Sequence, residues 1–459
     1  MGQSVRNQST IGYIRETATK FLDRETAGGI FLIIATIVAL LLANSQWAGA
    51  YHHFLGDELL FEFSEHLSFG LTIEEWINDG LMAIFFLVAG LELKREVMVG
   101  ELSSIKKASA PLLAALGGMA VPALIFISLN LGTENIKGWG IPMATDIAYS
   151  LGIIGLLGKN VPRQLKTFLI ALAIADDIGA ILVIALFYSN ELSWIYLGSG
   201  MGAFGLLLLM NWTGVKNLIW YIIIGIILWY CFLNSGIHPT IAGVLFAITI
   251  PIVPKLDSKI LKERTATNVT NLEKTELEKL NPLQDKKQQI ILKAIKTDTE
   301  NSRPPLLKLE NSLVDFNAFF IIPIFAVANA GVKLDVNLIE VVSGSLGLGI
   351  LLGLAIGKVT GIGIFTLIGQ KLGVSELHIT LNWKHIIGIG MIAGIGFTMS
   401  LFITNLAFND QELIKISKIS ILIASLLAAI EFINLFLKIV SSVGIDFNVS
   451  PFNLFTTYK

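Results

Sequence analysis

The sequence predicts an all-α polytopic membrane protein with about twelve transmembrane helices, and three observations lead to this prediction. Only 15% of the 459 residues are charged and 54% are hydrophobic, with a mean hydropathy of +0.71, whereas soluble globular proteins carry roughly 25% charged residues. The charged residues are crowded into connecting segments. Between these segments lie apolar runs that approach the roughly 20 residues a helix needs to cross a bilayer.

The predicted spans are apolar runs bounded by polar segments, and so many in series argue against the buried helices of a soluble protein. In chain order they are 28–44, 76–91, 108–131, 138–158, 165–189, 194–210, 218–233, 236–253, 316–331, 341–369, 386–408 and 414–437. We therefore expect a transmembrane domain over 28–441, between a cytoplasmic N-terminal segment (1–27) and a cytoplasmic C-terminal tail (442–459).

The first apolar run is too long for the core of a cleaved signal peptide, so we expect it to act as its own insertion signal. Basic residues are concentrated in the loops on one side, and the opposite loops offer only Lys137, Lys333, Lys415 and Lys418. The positive-inside rule then places both termini in the cytoplasm. The net charge of -2 suggests no nucleic-acid partner, and the single cysteine, Cys231, excludes an intrachain disulfide.

Two connections are longer than simple turns. Within the loop 45–75, the stretch 59–64 partly alternates between apolar and polar residues, as a short hairpin strand does, although an irregular acidic loop fits equally well. The segment 255–308 is a charged cytoplasmic insertion whose composition suits either an exposed helix or disorder. We assign no chemistry to this insertion.

Four charged residues stand out because each lies well inside its predicted span, with apolar residues on both sides: Asp146, Asp176, Asp177 and Lys358. A charge near the bilayer centre costs about 2.5–3.5 kcal/mol, so such residues usually belong to a transport pathway. Asp176 and Asp177 point about 100° apart on a helix, so both can line one edge of a cavity. Carboxylate oxygens suit a hard cation such as Na⁺ and also accept protons. A site that holds either the ion or protons is in principle an exchanger; the alternative is a buried salt bridge between helices.

Two spans are predicted to be discontinuous. Pro142 lacks an amide hydrogen and interrupts the span that contains Thr145, although a simple proline kink is the alternative. The glycine-rich stretch 388–400 predicts a second break and offers the hydroxyls of Thr398 and Ser400, with ordinary close packing as the alternative. Mid-membrane breaks are tolerated where the freed backbone lines a cavity or is buried in protein, and paired breaks are typical of transporter sites.

The span around Lys358 has glycine at every fourth position, at Gly349, Gly353, Gly357 and Gly361. Such a stripe lets another helix approach closely. We expect the ammonium to lie against that neighbouring helix and to pair with a carboxylate. A lysine that reaches to the membrane interface is the weaker alternative, because Lys358 is far from both ends of its span.

Six motifs, taken in order, resemble those of the NhaA-type sodium/proton antiporters. They are WINDGLMAIFFLVAGLELKRE (76–96), ATDIA (144–148), AIADDIGA (173–180), SGIHPTIAG (235–243), IPIFAVANAG (322–331) and GIGFTMS (394–400). The resemblance runs from about 28 to 408 and is interrupted by the charged insertion. It departs from the family pattern at Val359, where many members have proline, and in 309–314, which lacks the histidines that well-known members have near there.

The resemblance implies inverted structural repeats and a homodimer in the bacterial inner membrane that needs no cofactor beyond the transported Na⁺ or Li⁺ and H⁺. Asp176 and Asp177 would be the ion- and proton-exchanging pair, and Lys358 would pair with Asp176 when sodium is absent. Thr145 and Asp146 would lie near the ion, where the two broken helices cross. The loop 45–75 would be the dimerising hairpin.

The resemblance also implies a set of residues that sense pH, mostly at the cytoplasmic end of the second span. They are Glu92, Lys94, Arg95, Glu96, Glu310 and His238. For His238, a satisfied polar residue at a helix start is the competing interpretation.

We therefore expect electrogenic, pH-regulated export of Na⁺ or Li⁺ in exchange for H⁺ by alternating access. The sequence contains no G-x-x-x-x-G-K-[ST] loop, so ATP-driven pumping is disfavoured. Two other classes compete with this hypothesis. An intramembrane aspartyl protease would use Asp146 with Asp176 but leaves Lys358 without a purpose, and a cation channel would not depend on a proton gradient. Proton-coupled flux separates all three.

Overall fold

The computed structural model describes residues 10–64, 67–157, 161–189, 192–274, 286–374 and 382–442, which are largely helical. In chain order the elements are α1 (Thr10–Ala43), α2 (Ala48–Gly56), β1 (Glu58–Ser64), β2 (Leu67–Thr72), α3 (Ile73–Val99), a 3₁₀ turn (Glu101–Ser103), α4 (Ile105–Asn130), a 3₁₀ helix (Glu134–Met143), α5 (Ile147–Leu156), α6 (Arg163–Phe187), α7 (Trp194–Trp212), α8 (Leu218–Leu233), α9 (Thr240–Thr249), α10 (Ser258–Lys274), α11 (Lys286–Ser302), α12 (Pro305–Asn329), α13 (Leu338–Ser343), α14 (Ser345–Lys371), α15 (Trp383–Ala393), α16 (Phe397–Ala407) and α17 (Gln411–Ser442).

The predicted polytopic helical fold is confirmed. Among the described residues, eight helices are long and apolar enough to cross a membrane, and α15 with α16 forms a ninth candidate, bent by 46°. Three shorter apolar helices, α5, α8 and α9, account for the remaining predicted spans. The largest shifts in boundary are at α1 and α12. These helices begin at Thr10 and Pro305, well before the predicted starts at 28 and 316.

Both predicted breaks are present. The first separates the 3₁₀ helix from α5, and residues 144–146 between them are not helical. The first half is 3₁₀ rather than α because Gly138, Gly140 and Pro142 all disfavour an α-helix. The second break separates α15 from α16.

The loop after α2 is a hairpin, so the alternative of an irregular acidic loop is wrong. Strands β1 and β2 pair antiparallel, with Glu58 opposite Thr72 and Leu60 opposite Gly70. The pairing register shifts between Glu62 and Ser64, as at a β-bulge.

The charged insertion is helical over its described part. Its helices α10 and α11 contact each other through an ion pair between Arg264 Nη1 and Asp298 Oδ1 at 3.2 Å. The amide of Leu256 donates to the carbonyl of Asn301 at 2.9 Å and closes the base of the helix pair. Of the two alternatives for this segment, the exposed helix is the one observed; residues 275–285 lie outside the described residues.

The helices group into two compact units. The first unit comprises Met1–Glu74, Glu96–Leu186 and Ile322–Lys459. Glycines allow its helices to approach closely. A Cβ atom on Gly361 of α14 would lie 2.1 Å from the carbonyl oxygen of Gly117 on α4. The glycine stripe of α14 therefore lies against α4, because a larger side chain would separate the two backbones.

The second unit comprises Glu75–Arg95 and Phe187–Ile321. Leu87 of α3, Tyr221 and Phe232 of α8 and Phe246 of α9 share its apolar core. Its outward faces are also apolar: Trp212 at the end of α7 is 85% exposed. Apolar side chains are expected on both the inside and the lipid-facing side of a membrane protein, because lipid tails are as apolar as the core.

We expect Gly361→Ala to destabilise the protein, whereas Gly363→Ala, on the same helix, should not. The first substitution forces α4 and α14 apart, at a cost of about 1–3 kcal/mol, whereas a Cβ at Gly363 meets nothing within 4 Å. The measurement is the midpoint of thermal unfolding in detergent. Equal midpoints for the two variants would contradict close packing at Gly117 and Gly361.

Candidate functional site

The two broken spans of the first unit cross at their breaks and are joined by reciprocal hydrogen bonds. The amide of Asp146 donates to the carbonyl of Ile395 at 2.7 Å. The hydroxyl of Ser150 donates to the carbonyl of Ile392 at 3.0 Å, and that of Ser400 donates to the carbonyl of Ile141 at 2.7 Å. Each break thus satisfies backbone groups that the other leaves open, as buried backbone requires.

Asp146 occupies the centre of this crossing and is 2% exposed. It is the N-cap of α5, where Oδ1 accepts from the amide of Tyr149 at 2.9 Å. Its Oδ2 accepts from both the amide and the hydroxyl of Thr398, at 2.9 and 2.5 Å. One carboxylate therefore sits against the N-terminal ends of α5 and α16, where helix dipoles favour negative charge. The glycine-rich stretch predicted a role for the Thr398 hydroxyl, and its partner in the structure is Asp146.

Asp176 on α6, Lys358 on α14 and Thr145 in the first break form a closed triangle. The ammonium of Lys358 donates to Asp176 Oδ2 at 2.7 Å and to Thr145 Oγ1 at 2.9 Å. Thr145 Oγ1 lies 2.8 Å from Asp176 Oδ2. All three side chains are almost completely buried. The lysine therefore does not reach to a membrane interface, and the triangle brings together α6, α14 and the first break.

Asp176 keeps one oxygen open. Within the described residues, its Oδ1 atom has no hydrogen-bond partner, although a buried carboxylate oxygen without a partner is costly. Asp177, the next residue on α6, is 6% exposed. The two carboxyl groups are thus buried and adjacent in sequence, and that of Asp176 is only partly satisfied by donors among the described residues. Carboxylate and hydroxyl oxygens are suitable ligands for a hard cation.

Local packing places the lysine in this triangle. A π-helical turn, Gly353–Gly357, directly precedes Lys358, and such turns are frequent at functional sites. A Cβ on Gly118 of α4 would lie 3.7 Å from the lysine Cδ, so the aliphatic stem passes over that glycine. Val359 takes the place of the family proline, and its Cα lies 2.7 Å from the Cβ position of Gly390 on α15. A small residue at Gly390 therefore makes room for Val359.

The residues expected to sense pH are found mainly in the second unit. Arg95 Nε donates to Glu310 Oε1 at 2.9 Å, and Glu310 is 5% exposed. The ammonium of Lys94 donates to the carbonyls of Ile248 and Ile250 at 2.5 and 2.6 Å, at the C-terminal end of α9. Glu92 belongs to this unit too, whereas Glu96 belongs to the first unit.

His238 is close to an acidic residue that sequence analysis missed. Its Nδ1 atom lies 3.8 Å from Asp79 Oδ1, and the backbone carbonyl of Asp79 accepts from Trp229 Nε1 at 2.9 Å. Asp79 lies in a π-helical turn of α3, Trp76–Leu81. The signal for it was present, since it is a charged residue within an apolar predicted span.

Comparisons with known proteins agree over most of the chain. A family model described as Na⁺/H⁺ antiporter 1 matches residues 19–435. A protein named Na⁺/H⁺ antiporter NhaA 2 from Helicobacter hepaticus is 44% identical over 419 residues, which cover 91% of this chain and 94% of the relative. Proteins named Na⁺/H⁺ antiporter NhaA from Oleidesulfovibrio alaskensis and Wolinella succinogenes are 45% and 42% identical, over 89% and 91% of this chain and 91% and 92% of each relative.

We expect Lys358→Met to destabilise the protein more than the double substitution Asp176→Asn with Lys358→Met. Removing the ammonium alone leaves a buried carboxylate without its counter-charge, which typically costs about 3–5 kcal/mol, whereas removing both charges avoids that penalty. Thermal unfolding in detergent without added Na⁺ measures the difference. If the double variant unfolds at the same temperature as the single variant, the unpaired Asp176 carboxylate is not the cause of the destabilisation.

Proposed function

This chain belongs to the Na⁺/H⁺ antiporter family and is a sodium/proton antiporter, and we propose that it exchanges the two ions at the buried cluster around Asp176. The observation that carries the proposal is the open Oδ1 oxygen of Asp176 next to the Lys358 ammonium. A buried carboxylate that is paired on one side and open on the other can take a cation there or a proton.

In the proposed mechanism, the described arrangement corresponds to the cation-free site. The Lys358 ammonium neutralises Asp176 and also donates to Thr145. A Na⁺ ion from the cytoplasm competes with the ammonium for these same oxygens, and Asp177 supplies a further carboxylate. Protons leave the site as Na⁺ binds, and the site then faces outward, releases Na⁺ and takes up protons. Li⁺ would follow the same route, because it is also a hard cation that prefers oxygen.

Asp146 has a different proposed role from the exchanging pair. Its two oxygens accept three hydrogen bonds, from Tyr149 and Thr398. These bonds join the ends of two broken spans, so we propose that Asp146 holds the crossing together near the ion. This engagement also argues against an aspartyl protease, in which Asp146 and Asp176 would have to share one attacking water.

We propose that transport is electrogenic. If both carboxylates lose protons, or one carboxylate and Lys358 do, two protons enter for each Na⁺ that leaves. One net positive charge then moves inward in each cycle. The membrane potential can drive such export, with about 2.3 kcal/mol per charge for each 100 mV.

We propose that pH regulation arises in the second unit, at the ends of α9 and α12. Lys94 holds the C-terminal carbonyls of α9, and Arg95 holds Glu310 on α12. A change in the charge of Glu310 would weaken its pair with Arg95. Glu92, Glu96 and His238 complete the proposed sensing set on the strength of the family resemblance.

We propose that the protein is a homodimer formed through the β1–β2 hairpin, in a bacterial inner membrane with both termini in the cytoplasm. The hairpin is a two-stranded sheet, and such a sheet alone is at best marginally stable in water and leaves strand edges unpaired. Pairing with the hairpin of a second copy would satisfy those edges. The proposed partners are otherwise the lipid bilayer and the transported ions, with no cofactor and no nucleic acid.

We expect Asp177→Asn to reduce the rate of Na⁺-dependent proton exchange at least about tenfold, because the asparagine amide can neither take up a proton nor supply a charged ligand. The measurement is collapse of a pH gradient in everted membrane vesicles on addition of Na⁺, Li⁺ or K⁺. Asp335→Asn is the matched control, since Asp335 is exposed in the segment before α13 and pairs with Lys415, and it should leave exchange unchanged. Undiminished exchange in Asp177→Asn would remove Asp177 from the site, and gradient-independent flux would favour a channel.

We also expect a membrane potential to shift the Na⁺ distribution. In proteoliposomes, one net charge per cycle at about 100 mV corresponds to about 2.3 kcal/mol, or a roughly 50-fold change in the equilibrium Na⁺ ratio. A potassium diffusion potential with labelled Na⁺ measures this ratio at fixed pH. A ratio that does not respond to the potential would show electroneutral exchange.

A further inference from the structure

The hydroxyl of Thr145 has one donor and two acceptors within hydrogen-bond distance, but it has only one proton to donate. Oγ1 lies 2.9 Å from the Lys358 ammonium, 2.8 Å from Asp176 Oδ2 and 3.1 Å from the carbonyl oxygen of Ala393. A hydroxyl has one donor hydrogen and two acceptor lone pairs, whereas an ammonium can only donate. Oγ1 therefore accepts from Lys358, and its own proton goes either to Asp176 or to Ala393.

In the cation-free site, Asp176 is the better acceptor for this proton. Its oxygen is closer than that of Ala393, and a hydrogen bond to a charged acceptor is roughly twice as strong as one between neutral groups. The carbonyl of Ala393 is then left open. Ala393 is the last residue of α15, where helix carbonyls lack intrahelical donors. Within the described residues, no backbone amide outside α15 donates to this carbonyl.

A bound cation changes the choice of acceptor. When Na⁺ takes the place of the Lys358 ammonium, a lone pair of Thr145 Oγ1 faces the cation, so its hydrogen must point away. A hydrogen bond from Thr145 to Asp176 is then weakened, because Thr145 Oγ1 and Asp176 Oδ2 both face the same cation. The remaining acceptor within hydrogen-bond distance is the carbonyl of Ala393, at the partly negative C-terminal end of a helix.

We propose that the carbonyl of Ala393 is the second acceptor that turns the Thr145 hydroxyl into a cation ligand. Ala393 is then a positioning residue for ion binding that acts through its backbone carbonyl. Rotation of the Thr145 hydroxyl from Asp176 to Ala393 links ion binding to the break between α15 and α16. The inference rests on the proposed exchange at Asp176. In this arrangement the second broken helix responds to the cation through the hydrogen bond from Thr145 to Ala393, and its carbonyl does not bind the cation directly.

Solid-state NMR of the full-length protein in liposomes can observe this carbonyl directly. With carbonyl-¹³C alanine and ¹⁵N glycine, only alanine–glycine peptide bonds give a nitrogen–carbonyl correlation. The sequence contains six such bonds, at residues 27–28, 48–49, 89–90, 242–243, 330–331 and 393–394. The Ala393→Ser variant assigns the signal by removing it. We expect saturating Na⁺ to move the Ala393 carbonyl signal downfield, as accepting a hydrogen bond does, and Thr145→Val to abolish the movement.

Two further variants sharpen the test. Thr145→Ser keeps the hydroxyl and should restore the movement, with an apparent KM for Na⁺ within about twofold of native, whereas Thr145→Val should raise that KM about tenfold. Thr167→Val is the matched control, because the exposed hydroxyl of Thr167 donates to the carbonyl of Arg163 within its own helix, α6, away from the Asp176–Lys358–Thr145 triangle and from the crossing. It should leave both the movement and the KM unchanged.

The outcomes separate the inference from the proposed function. If the native signal does not move with Na⁺ while vesicles still exchange Na⁺ for H⁺, the inference is wrong and the proposed function stands. A movement that persists in Thr145→Val would make the carbonyl a direct ligand and would also overturn the inference. If native vesicles show no exchange at all, the proposed function itself fails.

Discussion

A charge buried within a membrane protein needs an opposite charge in contact with it, and the pair of Asp176 and Lys358 meets this need with Nζ and Oδ2 2.7 Å apart and both side chains buried. Most of the first unit can be understood from this pair. The glycine stripe of α14 brings the lysine close to α4, and a π-helical turn precedes it. The ion pair stabilises both charges when no cation is bound. Because the ammonium leaves one Asp176 oxygen open, the site can still accept a cation.

The crossing of the two broken helices satisfies the backbone amides and carbonyls that lack helical hydrogen bonds at each break. Asp146 satisfies the N-terminal ends of both α5 and α16, while Ser150 and Ser400 donate to carbonyls across the crossing. The buried carboxylates of Asp146 and Asp176 therefore differ in their hydrogen bonding. Asp146 is fully engaged and holds the frame, whereas Asp176 is engaged on one side only. This difference in hydrogen bonding, rather than in residue type, distinguishes a structural carboxylate from one suited to exchange.

In the second unit, two consecutive residues of α3 bind two different helices, α9 and α12. Lys94 holds the end of α9, and Arg95 pairs with Glu310 on α12. The charged insertion, with its helices α10 and α11, joins those same two elements. The chain therefore inserts extra residues between the contacts of Lys94 and Arg95, which gives the insertion a direct connection to the groups proposed to respond to pH.

The sequence by itself determined the class of the molecule and indicated which charged residues lie buried within its spans. Apolar runs of spanning length, charges within them and proline or glycine at the breaks are local features, so the helices, both discontinuities and Asp146, Asp176, Asp177 and Lys358 were predictable. The tertiary structure alone decided which groups meet. That Asp146 is held by Thr398, that Asp79 lies near His238 and that the Thr145 hydroxyl has two acceptors depend on segments far apart in the chain. The early start of α12, where Pro305, Leu306 and Leu309 are buried, also depended on packing, because local patterns identify residue types but not the partners that folding brings to them.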